Sequence, residues 1–273
     1  MADGLSVCCQ RRSFTSLAPC LDAEGMIPAD KLDELTEVVC QQLRVATEHG
    51  AQTVRCVATA AVRTARNSTR LVELINKRCG SLRVEILDPQ AEARLAFIGA
   101  AWASQVDPRH RIAVIDVGGG STEIVVGSDP TKLWWRSIGV GSGQLGARWF
   151  GGTCVSEAQI GAARAAVETV IAPIDVPTDV ERVIAVAGSA TARLSLAGSS
   201  SLSSRVAQLE RLAAGSSAGD LARRFGVEKH RGPLLLAGAI IISAVARRFE
   251  APLQLVHGGL REGLLLGEQA AQA

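Results

Sequence analysis

The chain predicts an α/β protein, on three observations. Short β-branched runs alternate with longer stretches whose apolar residues fall three and four apart, as strands alternate with amphipathic helices. The composition favours helix, with 47% apolar residues and only 3% aromatics. One run, Ile112–Gly127, reads IAVIDVGGGSTEIVVG: strand, tight turn, strand.

The elements follow in order. Pro28 to His49 carries Leu32, Leu35, Val39 and Leu43 on one helical face and stops at Gly50. Thr53–Thr59 is a short strand. Asn67 or Ser68 then caps a helix bearing Leu71, Leu74 and Ile75, which ends at Gly80. Leu82–Leu87 alternates as a strand, and Pro89 opens a helix to about Trp102. Asp107-Pro108 marks a boundary, so two domains are expected, residues 1–107 and 108–273.

Past the glycine hairpin, a strand runs through Trp134 and Trp135, and the turn Gly139–Gly143 leads into a helix with Leu145 and Trp149. Ser156 caps a helix presenting Ile160, Ala163, Val167 and Ile171. Val183–Ala187 is a buried strand ending in Gly188-Ser189, and Gly198–Ser204 a polar loop. Leu234–Arg248 reads as a buried helix, Leu253–Val256 as a strand and Gly259–Gln269 as the closing helix.

Bulk properties exclude several classes. With 273 residues the chain can build two ordinary cores, and a net charge of +2 with interspersed signs argues against a nucleic-acid surface. The longest apolar run, Leu234–Ala246, is shorter than the roughly 20 residues of a bilayer span, and the polar start resembles no signal peptide. Seven cysteines, an odd number with no C-x-x-C pair, read as reduced thiols of a cytoplasmic protein, with Cys56 a small core residue. His49, His110 and His230 make no metal-ligand spacing.

The chemistry concentrates at the hairpin. Asp116 ends the first strand, Gly118, Gly119 and Gly120 form the turn, and Ser121 and Thr122 begin the second strand. Successive glycine N–H groups can make a concave nest for a phosphate, and the carboxylate beside it suits a divalent cation. No Lys-Ser or Lys-Thr follows the glycines, which excludes a Walker A loop. Glu123-Ile124-Val125-Val126 continues as strand rather than helix, which excludes a dinucleotide fingerprint. A plain hairpin is the alternative, although it seldom needs three glycines in a row.

Seven segments in order resemble the exopolyphosphatase and guanosine-pentaphosphate phosphohydrolase family. They are LDAEG at Leu21–Gly25, VATAAVRTARN at Val57–Asn67, AEARLAFIGA at Ala91–Ala100, IDVGGGSTE at Ile115–Glu123, SIGVGSGQL at Ser137–Leu145, AVAGSATARL at Ala185–Leu194 and HGGLREGLL at His257–Leu265. The resemblance implies two ribonuclease-H-like domains of the actin, sugar-kinase and heat-shock-protein clan, with a cleft between them. It implies Mg²⁺-assisted hydrolysis of polyphosphate or guanosine pentaphosphate, and allows a homodimer. Glu92 matches the glutamate taken as general base, where the residue alone reads as a solvated helix glutamate. Asp116 matches the magnesium-associated aspartate, Glu123 an acidic residue ordering metal or water, and Gly118, Gly119, Gly120 and Ser121 the phosphate turn. Gly188 and Ser189 match a cleft loop, and Arg63 and Arg261 match phosphate-binding arginines, with surface or helix-terminal roles as the alternative.

Two departures set a rival expectation. The family opens on a strand pair around an Asp-x-Gly-Ser-Asn-Ser turn, the first of two phosphate loops, and this sequence shows none, so a first domain lacking its N-terminal strand pair is expected. Ala91-Glu92 also replaces two adjacent glutamates. The rival is a catalytically impaired family member that binds phosphorylated ligands or a partner.

Overall fold

A computed structural model describes residues 5–17, 20–21, 23–80, 82–107, 109–152, 154–186 and 202–272. Packing divides the chain into two compact units, Met1–Pro89 and Gln90–Ala273. The first holds α1 (Ala29–Glu48), β1 (Cys56–Ala58), α2 (Ala60–Thr64), α3 (Ser68–Cys79) and β2 (Val84–Ile86). β1 and β2 pair in parallel, Cys56 opposite Val84 and Ala58 opposite Ile86. Leu32, Leu71, Ile75 and Leu82 are buried together in this unit, with Leu35, Val39 and Leu43 against them. These are the stripes that the helical spacing predicts.

Asn67 does not cap α3 with its side chain. Its Oδ1 accepts the Ile27 N–H and its Nδ2 donates to the Ile27 carbonyl, both at 2.9 Å, so the amide pins the approach to α1. The cysteine reading also needs correcting, because Cys40 and Cys79 form a disulfide with Cα atoms 5.7 Å apart. Packing of α1 on α3 brings these positions together across 39 residues of sequence, a proximity no cysteine count reveals.

The second unit contains α4 (Pro89–Ser104), β3 (Ile112–Val117), β4 (Thr122–Gly127), β5 (Trp134–Ile138), α5 (Ser142–Phe150), α6 (Glu157–Ile171), β6 (Arg182–Val186), α7 (Leu202–Ala213), α8 (Ala218–Phe225), α9 (Gly232–Ala246), β7 (Leu253–Val256) and α10 (Leu260–Gln272). Packing thus assigns α4 to the second unit, where the sequence boundary at Asp107-Pro108 grouped it with the first. The helix buries Ala93, Phe97 and Ala100 against Ile112, Val114, Val125 and Ile184. The helices α7 and α8 had no counterpart in the sequence reading. Gly188 and Ser189 lie outside the described residues.

The five strands run in the order β5-β4-β3-β6-β7. β3, β4 and β5 form an antiparallel meander, while β6 and β7 add in parallel on the other side of β3. This is the ribonuclease-H-like sheet. Its strands alternate between two covered faces. Ala113, Ile115, Ile124 and Val126 face the core built on α6 and α9, whereas Ile112, Val114 and Val125 face α4. The apolar run Leu234–Ala246 is α9, buried around nearly its whole circumference. No described helix is long and apolar enough to cross a membrane.

Candidate active site

Strand parity decides where the acids go. Asp116 follows Ile112 and Val114 at even spacing, so it shares the sheet face covered by α4. Glu123 sits directly opposite Asp116 in the antiparallel register, and directly opposed residues project on one side. Glu92 stands in the first turn of α4, 6% exposed, beside the buried Ala93. The polar end of the layer whose apolar part is Phe97, Val114, Val125 and Ile184 therefore holds carboxylates.

Their mutual effect is strong. Loss of solvation, and then the charges of Glu123, Glu92 and Glu262, push the Asp116 carboxyl up to about 7 from an ordinary 3.8. Glu123 is 1% exposed, and its Oε1 accepts the Ser121 hydroxyl at 2.9 Å and the Ser137 hydroxyl at 2.8 Å. Ser137 is its register partner on β5. Glu262, in the first turn of α10, accepts the Gly259 N–H at 2.8 Å.

The glycine turn is held from one side. Gly118 N–H closes it on the Ser121 carbonyl at 2.9 Å. The Gly118 carbonyl accepts Ser142 N–H at 2.9 Å and its hydroxyl at 3.1 Å, while the Gly119 carbonyl accepts Gly143 and Gln144 N–H at 3.0 and 3.1 Å. The N-terminal donors of α5 are thus engaged by the turn itself. In a trans peptide the carbonyl and the following N–H point opposite ways, and no described peptide is cis. The N–H groups of Gly119 and Gly120 therefore aim away from α5, and a Cβ at Gly119 would meet nothing within 4 Å. That is an open donor pair fit for an anion.

Of the residues singled out in the sequence, Asp116, Gly118, Gly119, Gly120, Ser121 and Glu123 lie on this one hairpin, and Glu92 lies on the helix that covers it. Ser121 turns its hydroxyl to Glu123. Arg261 is exposed on α10. Arg63 belongs to the first unit, where its Nη1 donates to the Leu87 carbonyl at 2.8 Å. Sequence reasoning passed over four contributors. Ser137 donates its hydroxyl to Glu123, Glu262 adds a negative charge that acts on Asp116, and Gly141 and Gly143 form the floor of the turn. A Cβ at Gly141 would fall 2.4 Å from the Gly119 carbonyl carbon, and one at Gly143 2.8 Å from its oxygen. The signal was the glycine pair in SIGVGSGQL, which reads as an ordinary turn until the first turn is laid on it.

The sequence model of the Ppx/GppA phosphatase family matches residues 2–271. The chain belongs to the Ppx/GppA phosphatase family. This Ppx/GppA member is 28% identical over 278 residues to exopolyphosphatase 1 of Mycobacterium tuberculosis (strain ATCC 25618 / H37Rv), covering 94% of this chain and 79% of the relative. It is 28% identical over 224 residues to the guanosine-5'-triphosphate,3'-diphosphate pyrophosphatase of Pseudoalteromonas atlantica, covering 78% of this chain and 44% of the relative. A crystal structure of the Aquifex aeolicus Ppx/GppA member matches its fold with a TM-score of 0.76 at 24% identity, covering 98% of this chain and 91% of that one.

Proposed function

We propose that this Ppx/GppA member is an exopolyphosphatase-type phosphohydrolase releasing terminal orthophosphate from polyphosphate or guanosine pentaphosphate. The observation that carries the reading is the opposition of Asp116 and Glu123 at the mouth of a glycine turn whose free N–H groups face outward, with Glu92 on the helix above. An anion receptor and an acid cluster side by side suit a phosphate and a cation together. Family and relatives supply the reaction class.

Mg²⁺ fits the donor set. Among the described residues no three His, Cys, Asp or Glu side chains form a closed metal cage. Mg²⁺ does not require one, since it keeps several waters and takes one or two carboxylates plus substrate phosphate oxygens. Asp116 and Glu123 would hold it, and it would neutralise charge on the phosphoryl oxygens. The chain's own groups do the rest. The N–H groups of Gly119 and Gly120 receive oxygens of the terminal phosphate. Glu92 takes a proton from water as the water oxygen bonds to the terminal phosphorus, and the bridging P–O bond breaks with its electron pair leaving on the shortened chain.

A second reading, ligand binding with impaired turnover, draws on the first unit, whose sheet has two strands among the described residues. One experiment separates the two. Orthophosphate release from polyphosphate and from guanosine pentaphosphate is measured for the wild type and Glu92→Gln with Mg²⁺ present. The hydrolase reading expects turnover in the wild type and a loss of about 100- to 10,000-fold in the variant. Equal rates would remove Glu92 from the mechanism. Tight polyphosphate binding without release by the wild type would favour the second reading.

A further inference from the structure

The helix carrying Glu92 meets α10 backbone to backbone. A Cβ at Gly99 would lie 1.9 Å from the Gly259 carbonyl oxygen, and one at Gly263 would lie 1.9 Å from the Leu95 carbonyl oxygen. The two backbones thus meet with no room for a side chain between them, so α4 stands where the sheet face of Ile112, Val114, Val125 and Ile184 and the Gly259 peptide together set it. The same residue borders the acid cluster. A Cβ at Gly259 would reach 2.7 Å from Val186 Cγ1 on β6 and 3.6 Å from Asp116 Oδ2. One residue thus lies between the strand end that carries Asp116 and the helix that carries Glu92.

The residue before Gly259 also packs on α4, since a Cβ at Gly258 would lie 2.5 Å from Ala103 Cβ and 3.2 Å from the Gly99 carbonyl oxygen. The Gly259 carbonyl accepts the Gly263 N–H at 2.9 Å. Gly258 has φ +154°, a conformation side-chain-bearing residues rarely adopt, and its two glycines in succession bring no side chain to anchor the turn. Glu262 supplies an anchor: its Oε2 accepts the Gly259 N–H at 2.8 Å, the backward half of a capping box. The bond is charge-assisted, and it joins the α10 first turn to the residue on which α4 rests.

We propose that Glu262 is a positioning residue for the hydrolysis: by holding the Gly259 N–H it fixes the backbone against which α4 is seated, and so places Glu92 relative to Asp116. The proposal rests on the reading of Glu92 as base and Asp116 as metal ligand. A cap that only stabilised α10 would affect melting and leave the catalytic constants alone. A positioning bond acts on kcat, since misplacing a reacting group by about 1 Å costs on the order of 100-fold.

The test uses the full chain with Glu262→Gln, whose amide oxygen can accept the same bond, and Glu262→Met, which keeps side-chain volume without that acceptor. Phosphate release from polyphosphate with Mg²⁺ gives kcat and KM, and amide hydrogen exchange without metal or substrate follows residues 92–99 and Gly259. We expect Glu262→Met to lower kcat about 10- to 100-fold with KM within about three-fold, and Glu262→Gln to recover most of the loss. Exchange at Gly259 and along residues 92–99 should quicken in Glu262→Met and stay near wild type in Glu262→Gln. A Glu262→Met kcat within about two-fold of wild type, or a Glu262→Gln enzyme as slow as Glu262→Met, overturns the proposal. A wild type that releases no phosphate defeats the hydrolase reading instead. Exchange then decides alone: faster in Glu262→Met than in Glu262→Gln supports positioning, and equal rates overturn it.

Discussion

At the scale of single residues, the acid cluster has a cost that pH reveals. Asp116 ionises at about 7 in the folded chain and near the ordinary 3.8 when unfolded. Between those values the folded state keeps a proton that the unfolded state has released, so unfolding gains as pH rises. Below the window both states are protonated and the penalty vanishes, and above it the full penalty stands. Metal-free protein should therefore lose melting temperature from about pH 4 to about pH 7 relative to Asp116→Asn, which lacks the titrating group. Mg²⁺ at neutral pH should raise the melting temperature of the wild type and leave Asp116→Asn little changed. Parallel melting curves for both proteins would show that Asp116 is not the strained acid. Asp116 was legible as a carboxylate ending a strand beside a glycine turn, and Glu123 through the resemblance carried by IDVGGGSTE. Glu262 was not, since its neighbourhood arises from a helix packed more than a hundred residues downstream of the hairpin.

The elements explain why the turn keeps its shape. β3 and β4 place the turn, but the N-terminus of α5 beneath it satisfies both of its inward carbonyls. That docking needs a bare backbone at Gly141, where a Cβ would fall 2.4 Å from the Gly119 carbonyl carbon, whereas a Cβ at the nearby Gly139 would meet nothing within 4 Å. Forcing a methyl into a filled space costs about 1–3 kcal/mol, and one added in open space changes stability by about 0.5 kcal/mol or less. Gly141→Ala should therefore melt several degrees lower and release phosphate more slowly, with Gly139→Ala close to wild type in both. Similar behaviour of the two variants would mean that α5 is not the floor of the turn. Periodicity alone identified the helix after Gly143 through Leu145 and Trp149, because burial of one face writes itself into spacing. The role of the glycines before it was hidden, because a close backbone approach leaves no mark other than a missing side chain. The helices α7 and α8 were missed for a different reason: the Ser217-to-Asp220 capping box and the Gly226 stop that bound α8 are present in the sequence and were not taken up.

For the whole molecule, the two units differ in how their sheets are completed. Among the described residues, the second covers five strands on both faces, while the first pairs two short strands and relies on α1 and α3 to close its core. Such a sheet carries few backbone bonds to protect it, so the covalent link between Cys40 and Cys79 has more to do there. Closing a loop of 39 residues of separation restricts the unfolded chain and stabilises by about 2–4 kcal/mol. Reduction, or Cys40→Ser with Cys79→Ser, should therefore weaken the first unit selectively. In hydrogen exchange, amides of Cys56–Ala58 and Val84–Ile86 should exchange about 10- to 100-fold faster after reduction, and those of Ile112–Val117 and Thr122–Gly127 should keep their protection. The other described cysteines are free, so mass mapping after alkylation can confirm that one bond was opened. Equal loss of protection in both units would mean that they unfold as one cooperative body, and unchanged exchange in both would mean that the helix packing of α1 on α3 suffices without the bond.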